Sequence, residues 1–211
     1  MRTTHFAWLA LFLSFFTEVV NAQIKPDALS EYRTGNYNAA VDICRYEIEM
    51  DKQNIDSYVV VCWSLIKLGR FDEARSFAVS ALEISPYDVR LLEIMGEIDY
   101  FQGRNNEALK YFQEYINLAP EGQRIDAAYY YSGEIYIRQG RFRHADIALS
   151  TALHYVPGNA VWQSRLAYAR ENSGELREAA AVYEKALQLD PQLADAQRGL
   201  ARVRAALALR Q

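Results

Sequence analysis

Five glycines, Gly35, Gly69, Gly103, Gly140 and Gly174, recur at spacings of 34, 34, 37 and 34 residues. No other feature constrains the fold as much as this period. An alanine follows each glycine five residues later, at Ala40, Ala74, Ala108, Ala145 and Ala179. Seventeen residues after the last four glycines stands a proline: Pro86, Pro120, Pro157 and Pro191. Twelve after them come Ala81, Tyr115, Ala152 and Ala186, and seven before them the small residues Cys62, Gly96, Gly133 and Ala167. Aromatic residues fall two positions after the glycine at Tyr37, Phe71 and Phe142, and nine after it at Phe112 and Tyr183.

Each unit reads as a pair of helices. The glycine ends the first helix, because it enters the left-handed conformation without a Cβ penalty. Small residues on both helices let the backbones approach, and aromatic and leucine side chains fill the space left. The proline ends the second helix, since it cannot continue the hydrogen-bond ladder. Within Val89–Gln102, Leu92, Met95, Gly96 and Ile98 recur at three and four. Nothing alternates with period two over a useful length, so strands are not expected.

These positions resemble the tetratricopeptide repeat family. The third and fourth copies carry the resemblance best, through Leu92, Met95, Gly96, Tyr100, Ala108, Phe112 and Pro120, and through Tyr129, Gly133, Tyr136, Ala145, Ala152 and Pro157. The likeness covers about residues 25–193. It implies an all-α, right-handed superhelical solenoid of antiparallel helix pairs, about five repeats over 23–193. The first copy is degenerate, with Lys52 where proline is expected and a short first helix after Pro26. The third-to-fourth junction holds extra residues around Glu121-Gly122-Gln123-Arg124, and no copy has the tryptophan common at the start of the family pattern. Residues 194–211 are expected to form a capping helix, with Leu193, Ala196, Leu200, Val203 and Leu207 on one apolar stripe. An array needs such a cap because its last apolar face is otherwise open.

The N-terminus reads as an address. Arg2 precedes an apolar run from Phe6 to Phe16, and Val20-Asn21-Ala22 suits signal peptidase. A transmembrane span needs roughly 20 apolar residues, more than this run supplies. Residues 1–22 are therefore expected to be a signal peptide, giving an exported chain, periplasmic or secreted, with no stable membrane span after cleavage. In an oxidising compartment Cys44 and Cys62 can be read as a disulfide across an antiparallel hairpin centred near residue 53, or as two small buried hydrophobes.

Chemistry finds little support. Net charge is −4, with 23 Lys+Arg against 27 Asp+Glu, so a nucleic-acid partner is not expected. His144 and His154 lie ten residues apart on one helix and face different ways. Neither has a cysteine beside it, and no phosphate-cradling glycine loop, G-x-S-x-G or H-E-x-x-H motif occurs. The reading is a non-enzyme without cofactor or metal.

The resemblance implies that the first helix of each pair lines a concave surface, exposing positions ten, six and two or three before the turn glycine. The candidate partner-binding residues are then Tyr32, Val59, Trp63, Lys67, Glu93, Glu97, Phe101, Tyr130, Glu134, Arg138 and Tyr168. Tyr32, Trp63, Phe101, Tyr130 and Tyr168 would offer aromatic anchors to a groove. Glu93, Glu97 and Glu134 would make its middle acidic, which favours a neutral or basic extended peptide. The lysine, asparagine and arginine with which clamp-type members of the family hold a terminal carboxylate are absent. Expected partners are a protein or peptide. Homo-oligomerisation through the same groove, or service as an accessory subunit of an envelope transporter or enzyme, stand as alternatives.

Overall fold

The computed structural model describes residues 27–209, so the expected signal peptide at 1–22 lies outside the described residues. These residues form eleven helices and no strand: α1 (Ala28–Arg33), α2 (Tyr37–Met50), α3 (Ile55–Lys67), α4 (Phe71–Ile84), α5 (Val89–Phe101), α6 (Asn105–Leu118), α7 (Ile125–Arg138), α8 (Phe142–Tyr155), α9 (Ala160–Ser173), α10 (Leu176–Leu189) and α11 (Ala194–Ala208). The first ten are five hairpins, and α11 packs on α9 and α10 in the place of a sixth first helix.

The sequence period maps onto the turns. All five spacing glycines have positive φ, from 68° at Gly140 to 90° at Gly174. At each, the amide of the next residue reaches a carbonyl five residues back, as Arg70 does to Leu65 at 2.9 Å. That bond, with the glycine amide's own bond to a carbonyl three back, closes the first helix and needs the left-handed glycine between them. The second helices end differently. Ser85, Ala119, Val156 and Asp190 are drawn out of the helical region by the prolines that follow them. Asp51 takes the same shape, φ −141° and ψ 98°, although Lys52 follows it. There the Asp51 carboxylate accepts the Gln53 amide at 2.9 Å, as Asp190 does for Gln192.

Close approach depends on the small residues of the first helices. A Cβ on Gly96 would lie 2.5–3.0 Å from the Phe112 ring, and one on Gly133 would meet Leu149 at 2.6 Å. Gly199 of α11 makes the same room for Tyr183. Each first helix packs against the first helix of the next pair, whereas the second helices splay further apart, α2 and α4 being joined by the long side chains of the Arg45–Glu73 ion pair at 2.6 Å. The array therefore curls with α1, α3, α5, α7, α9 and α11 on its inner side.

Cys44 and Cys62 are both buried and both free, which corrects the disulfide reading. Cys62 occupies the small-residue position of α3, and its thiol faces the Ala74 carbonyl on α4 at 3.4 Å, within its own hairpin. Burial pushes the Cys44 thiol up to about 12 and raises Cys62 as well.

Candidate interaction surface

First helices open on side-chain caps where the chain follows the repeat. Asp27, Asn54, Asp88 and Asn159 each accept an amide of the first turn, Asp88 from Arg90 at 2.9 Å. The exceptions are α11, which follows Leu193, and α7, which follows Arg124; neither has a side-chain cap. At α7 the departure starts in the preceding helix, at Tyr115, which stands where the second, fourth and fifth copies have alanine. Its buried ring lies against Gly122, where a Cβ would collide with it, and its hydroxyl accepts the Arg124 amide at 3.0 Å. The longer connection between α6 and α7 accommodates this tyrosine and delivers Arg124 to the inner face.

There Arg124 closes on the carboxylates of α5. Its Nε donates to Glu93 Oε1 at 3.0 Å, while Nη2 lies 2.9 Å from the same oxygen and donates to Glu97. The pattern repeats along the array. Arg165 Nε donates to Glu134 at 2.6 Å, and Arg202 grips Glu171 through Nε and Nη2, both at 2.8 Å. At the N-terminal end Arg90 bridges Asp56 and Asp88, both at 2.7 Å. From α5 onward each acid lies beneath its arginine. The Glu93, Glu97, Glu134 and Glu171 side chains are 2%, 8%, 9% and 15% exposed, against 48%, 33% and 52% for Arg124, Arg165 and Arg202.

This corrects the acidic groove. Glu93, Glu97 and Glu134 do not face solvent as a charged strip; they are buried and paired. Burial first, and the neighbouring Glu97 second, push Glu93 up to about 8 against the pull of Arg124. Burial also works against the Glu171 carboxylate, but hydrogen bonds from Arg202 and Tyr183 outweigh it and hold its pKa below the ordinary range. Val59 is corrected too. It is 1% exposed and belongs to the core that holds Ala28, Tyr58 and Leu91.

Trp63 is half-buried and is the common wall of three hollows. One of about 460 Å³ is lined by Asp27, Glu47, Asp56, Val59 and Arg90. A second, of about 210 Å³, lies among Tyr32, Ile66, Lys67, Glu97 and Arg124. A third, of about 310 Å³, lies among Val89, Glu93, Tyr115, Gln123 and Arg124. Together they form a trough across the inner faces of α1, α3 and α5, bounded by the inserted connection.

Of the other candidates, Tyr32 packs on Trp63 with ring centroids 5.7 Å apart. Lys67 is exposed and has no carboxylate partner among the described residues. Phe101 stacks on Phe71 at 5.3 Å yet stays 46% exposed. Tyr130 stacks on Trp162 at 4.7 Å, and burial, then Glu134, pushes its hydroxyl up to about 12. Arg138 lies 3.9 Å over the Tyr100 ring and donates to the Tyr100 carbonyl at 3.1 Å. Tyr168 meets Phe142 edge-on, well along the array from the Trp63 trough. The trough thus brings together Tyr32, Trp63, Lys67, Glu93 and Glu97, with the buried Val59 in its floor, while Phe101, Tyr130, Arg138 and Tyr168 pack in contacts further along. The arginines are the residues that sequence reasoning missed. Their signal was an acid on one first helix and an arginine 31 residues later, at Glu93 and Arg124, Glu134 and Arg165, and Glu171 and Arg202.

Helical hairpins stacked at this period, capped by α11 and lined inside by first helices, define a helical-repeat solenoid. The tetratricopeptide repeat family model matches residues 160–193, the α9–α10 hairpin. The chain is a tetratricopeptide-repeat protein. It is 25% identical over 187 residues to the TPR repeat-containing protein MJ1428 of Methanocaldococcus jannaschii, covering 84% of this chain and 32% of that one, so it spans about a third of that relative's length. Among solved structures it is similar to MamA, with TM-score 0.68 and 18% identity over 79% of this chain and 96% of that one. It is also similar to YrrB, described as a TPR protein with an unusual peptide-binding site, with TM-score 0.70 and 19% identity over 80% and 85% of the two chains. At these identities the likeness establishes the fold. No helix among the described residues is long and apolar enough to cross a membrane.

Proposed function

We propose that this chain is an exported, non-catalytic scaffold that captures an extended segment of a partner protein on its concave face. The tetratricopeptide fold supports a protein-interaction role in general. The observation that carries the finer reading is the trough around Trp63. Three adjoining hollows share one half-buried indole, and aromatic anchors in partly desolvated pockets are where binding energy concentrates. The peptide-binding site named for YrrB is consistent with such a use of the fold.

Export rests on the composition of residues 1–22. N-terminal sequencing of the protein from its native cells tests it: a start at Gln23 is expected, and a start at Met1 would contradict it. For the binding role, a photo-crosslinking side chain is placed at Trp63, and in a second protein at the outward-facing Tyr46, in the native host. Discrete adducts with another protein are expected from position 63 and not from position 46. Adducts from position 46 alone, or of the chain with itself alone, would overturn the reading.

A further inference from the structure

From α5 onward the accessible charge of the inner face is opposite in sign to its first-helix carboxylates, whereas its N-terminal end keeps the exposed Asp56. Four acidic side chains of α5, α7 and α9 are covered, and the arginine side chains that cover them are a third to a half exposed. A partner reaching that stretch meets the bases first.

We propose that the segment this face binds is acidic, its carboxylates received by Arg124, Arg165 and Lys67 beside an apolar side chain seated on Trp63. The proposal rests on the concave-face reading and names the partner's chemistry.

Three observations carry it. The first is the use of the guanidinium edges. Arg124 is held through Nε and Nη2, and Arg165 through Nε. This leaves Nη1 of Arg124, and both terminal nitrogens of Arg165, without a partner among the described residues. A guanidinium fixed on one edge by a buried acid offers the other edge in a set orientation, and planar bidentate donation to carboxylate is what arginine does best. The second is Lys67, an exposed ammonium with no carboxylate partner among the described residues, lining the same hollow as Arg124, Tyr32 and Trp63. The third is the local charge. Of the charged groups lining that hollow, Glu97 is covered and bonded to Arg124. Lys67 is the charged side chain of that hollow left without a partner among the described residues. A basic segment would face this charge and find the carboxylates already engaged.

The test is selection of a random-peptide phage library on the immobilised full chain, followed by affinity measurement on the enriched peptides. Enriched peptides are expected to carry net negative charge and an apolar anchor, and to weaken about tenfold or more on Lys67→Glu at low salt. Arg165→Lys keeps a charge over Glu134 but removes the planar edge, and is expected to weaken the same peptides severalfold; Trp63→Ala should abolish binding. Circular dichroism melts confirm that each variant is folded. Basic or neutral peptides that still need Trp63 would overturn the acidic partner and leave the concave-face reading standing. Peptides indifferent to Trp63, or no enrichment at all, would overturn both. Acidic peptides that need Trp63 but ignore Lys67 and Arg165 would overturn the assignment of the bases.

Discussion

Arg124 and Glu93 stand 31 residues apart in the chain and 3.0 Å apart across the inner face. One belongs to an inserted connection and the other to a first helix of the preceding hairpin. Their bond ties the place where the period lengthens to 37 residues to the face where the array is hollowed. The same relation, without the insertion, joins Arg165 to Glu134 and Arg202 to Glu171.

Glu93 gives this ladder a pH signature. Its folded pKa, about 8, lies above the ordinary 4.5, so between those values the folded chain holds a proton that the unfolded chain has lost. The associated stability is complete below about 4.5 and is lost as pH rises through 8. Glu97, Arg124 and the hydroxyls of Tyr32, Tyr115 and Tyr131 are the groups coupled to it. The depressed carboxylates Glu73, Asp88 and Glu171 act on the other side, losing their contribution as pH falls below the ordinary range. Urea unfolding at pH 5.0 and 8.0, about the two ends of this window, is expected to show the wild type less stable at the higher pH and Glu93→Gln much less dependent on pH. Equal dependence in both proteins would contradict the assignment.

Gly96 reverses the usual preference for alanine in a helix. A Gly→Ala change inside an exposed helix gains about 1 kcal/mol, but here the Cβ would meet the Phe112 ring at 2.5–3.0 Å. Gly96→Ala should therefore destabilise by about 1–3 kcal/mol, and the added change Phe112→Leu should recover part of it. Chemical denaturation of the three variants checks this, and a stabilised Gly96→Ala would show that the two helices are not in contact there.

Gly69 and Gly158 separate backbone strain from crowding. Neither has an atom within 4 Å of a built Cβ, but Gly69 has φ +71° and Gly158 has no such φ. Gly69→Ala should cost about 1 kcal/mol, and Gly158→Ala should be close to neutral. Thermal melts of the pair decide, and equal melting points would contradict the difference.

The thiols should be inert in the folded protein. Cys44 and Cys62 are buried and free, and burial raises both, so thiolate is scarce at pH 8. A thiol-reactive chromophore is expected to label neither until denaturant is added, and reductant should leave the melting point unchanged. A melting point lowered by reductant would mean the two are bridged.

How much of this was legible in the sequence follows from the range of the interactions. The turns were readable because a left-handed glycine and a proline act on their own neighbours: Gly35, Gly69, Gly103, Gly140 and Gly174 all sit where the period placed them. Lys52 hid no break, because the Asp51 side chain holds the turn that proline holds elsewhere. The inner face was half readable. Its helices follow the period, and Tyr32 and Trp63 line the trough, but Glu93, Glu97 and Glu134 read as exposed because their partners lie 27–31 residues away, at the start of or within the next first helix. A helical wheel of one helix contains no arginine from its neighbour. Val59 failed for a related reason, since the core it joins draws on three first helices. Arg124 stood out only as part of an irregular junction, and its role depends on Tyr115 and Gly122 letting that junction turn inward.

The central claim is that an extended partner lies along the inner face of α1, α3 and α5, against Trp63. Its most direct test is a nitrogen-15 NMR titration of the full chain with a peptide enriched by selection. The account predicts shifts concentrated on α3, α5, the connection through Gln123 and Arg124, and α9 around Arg165, including the Trp63 indole N–H. Shifts concentrated on the outward faces of α2, α4 and α6, with the Trp63 indole unmoved, would contradict it.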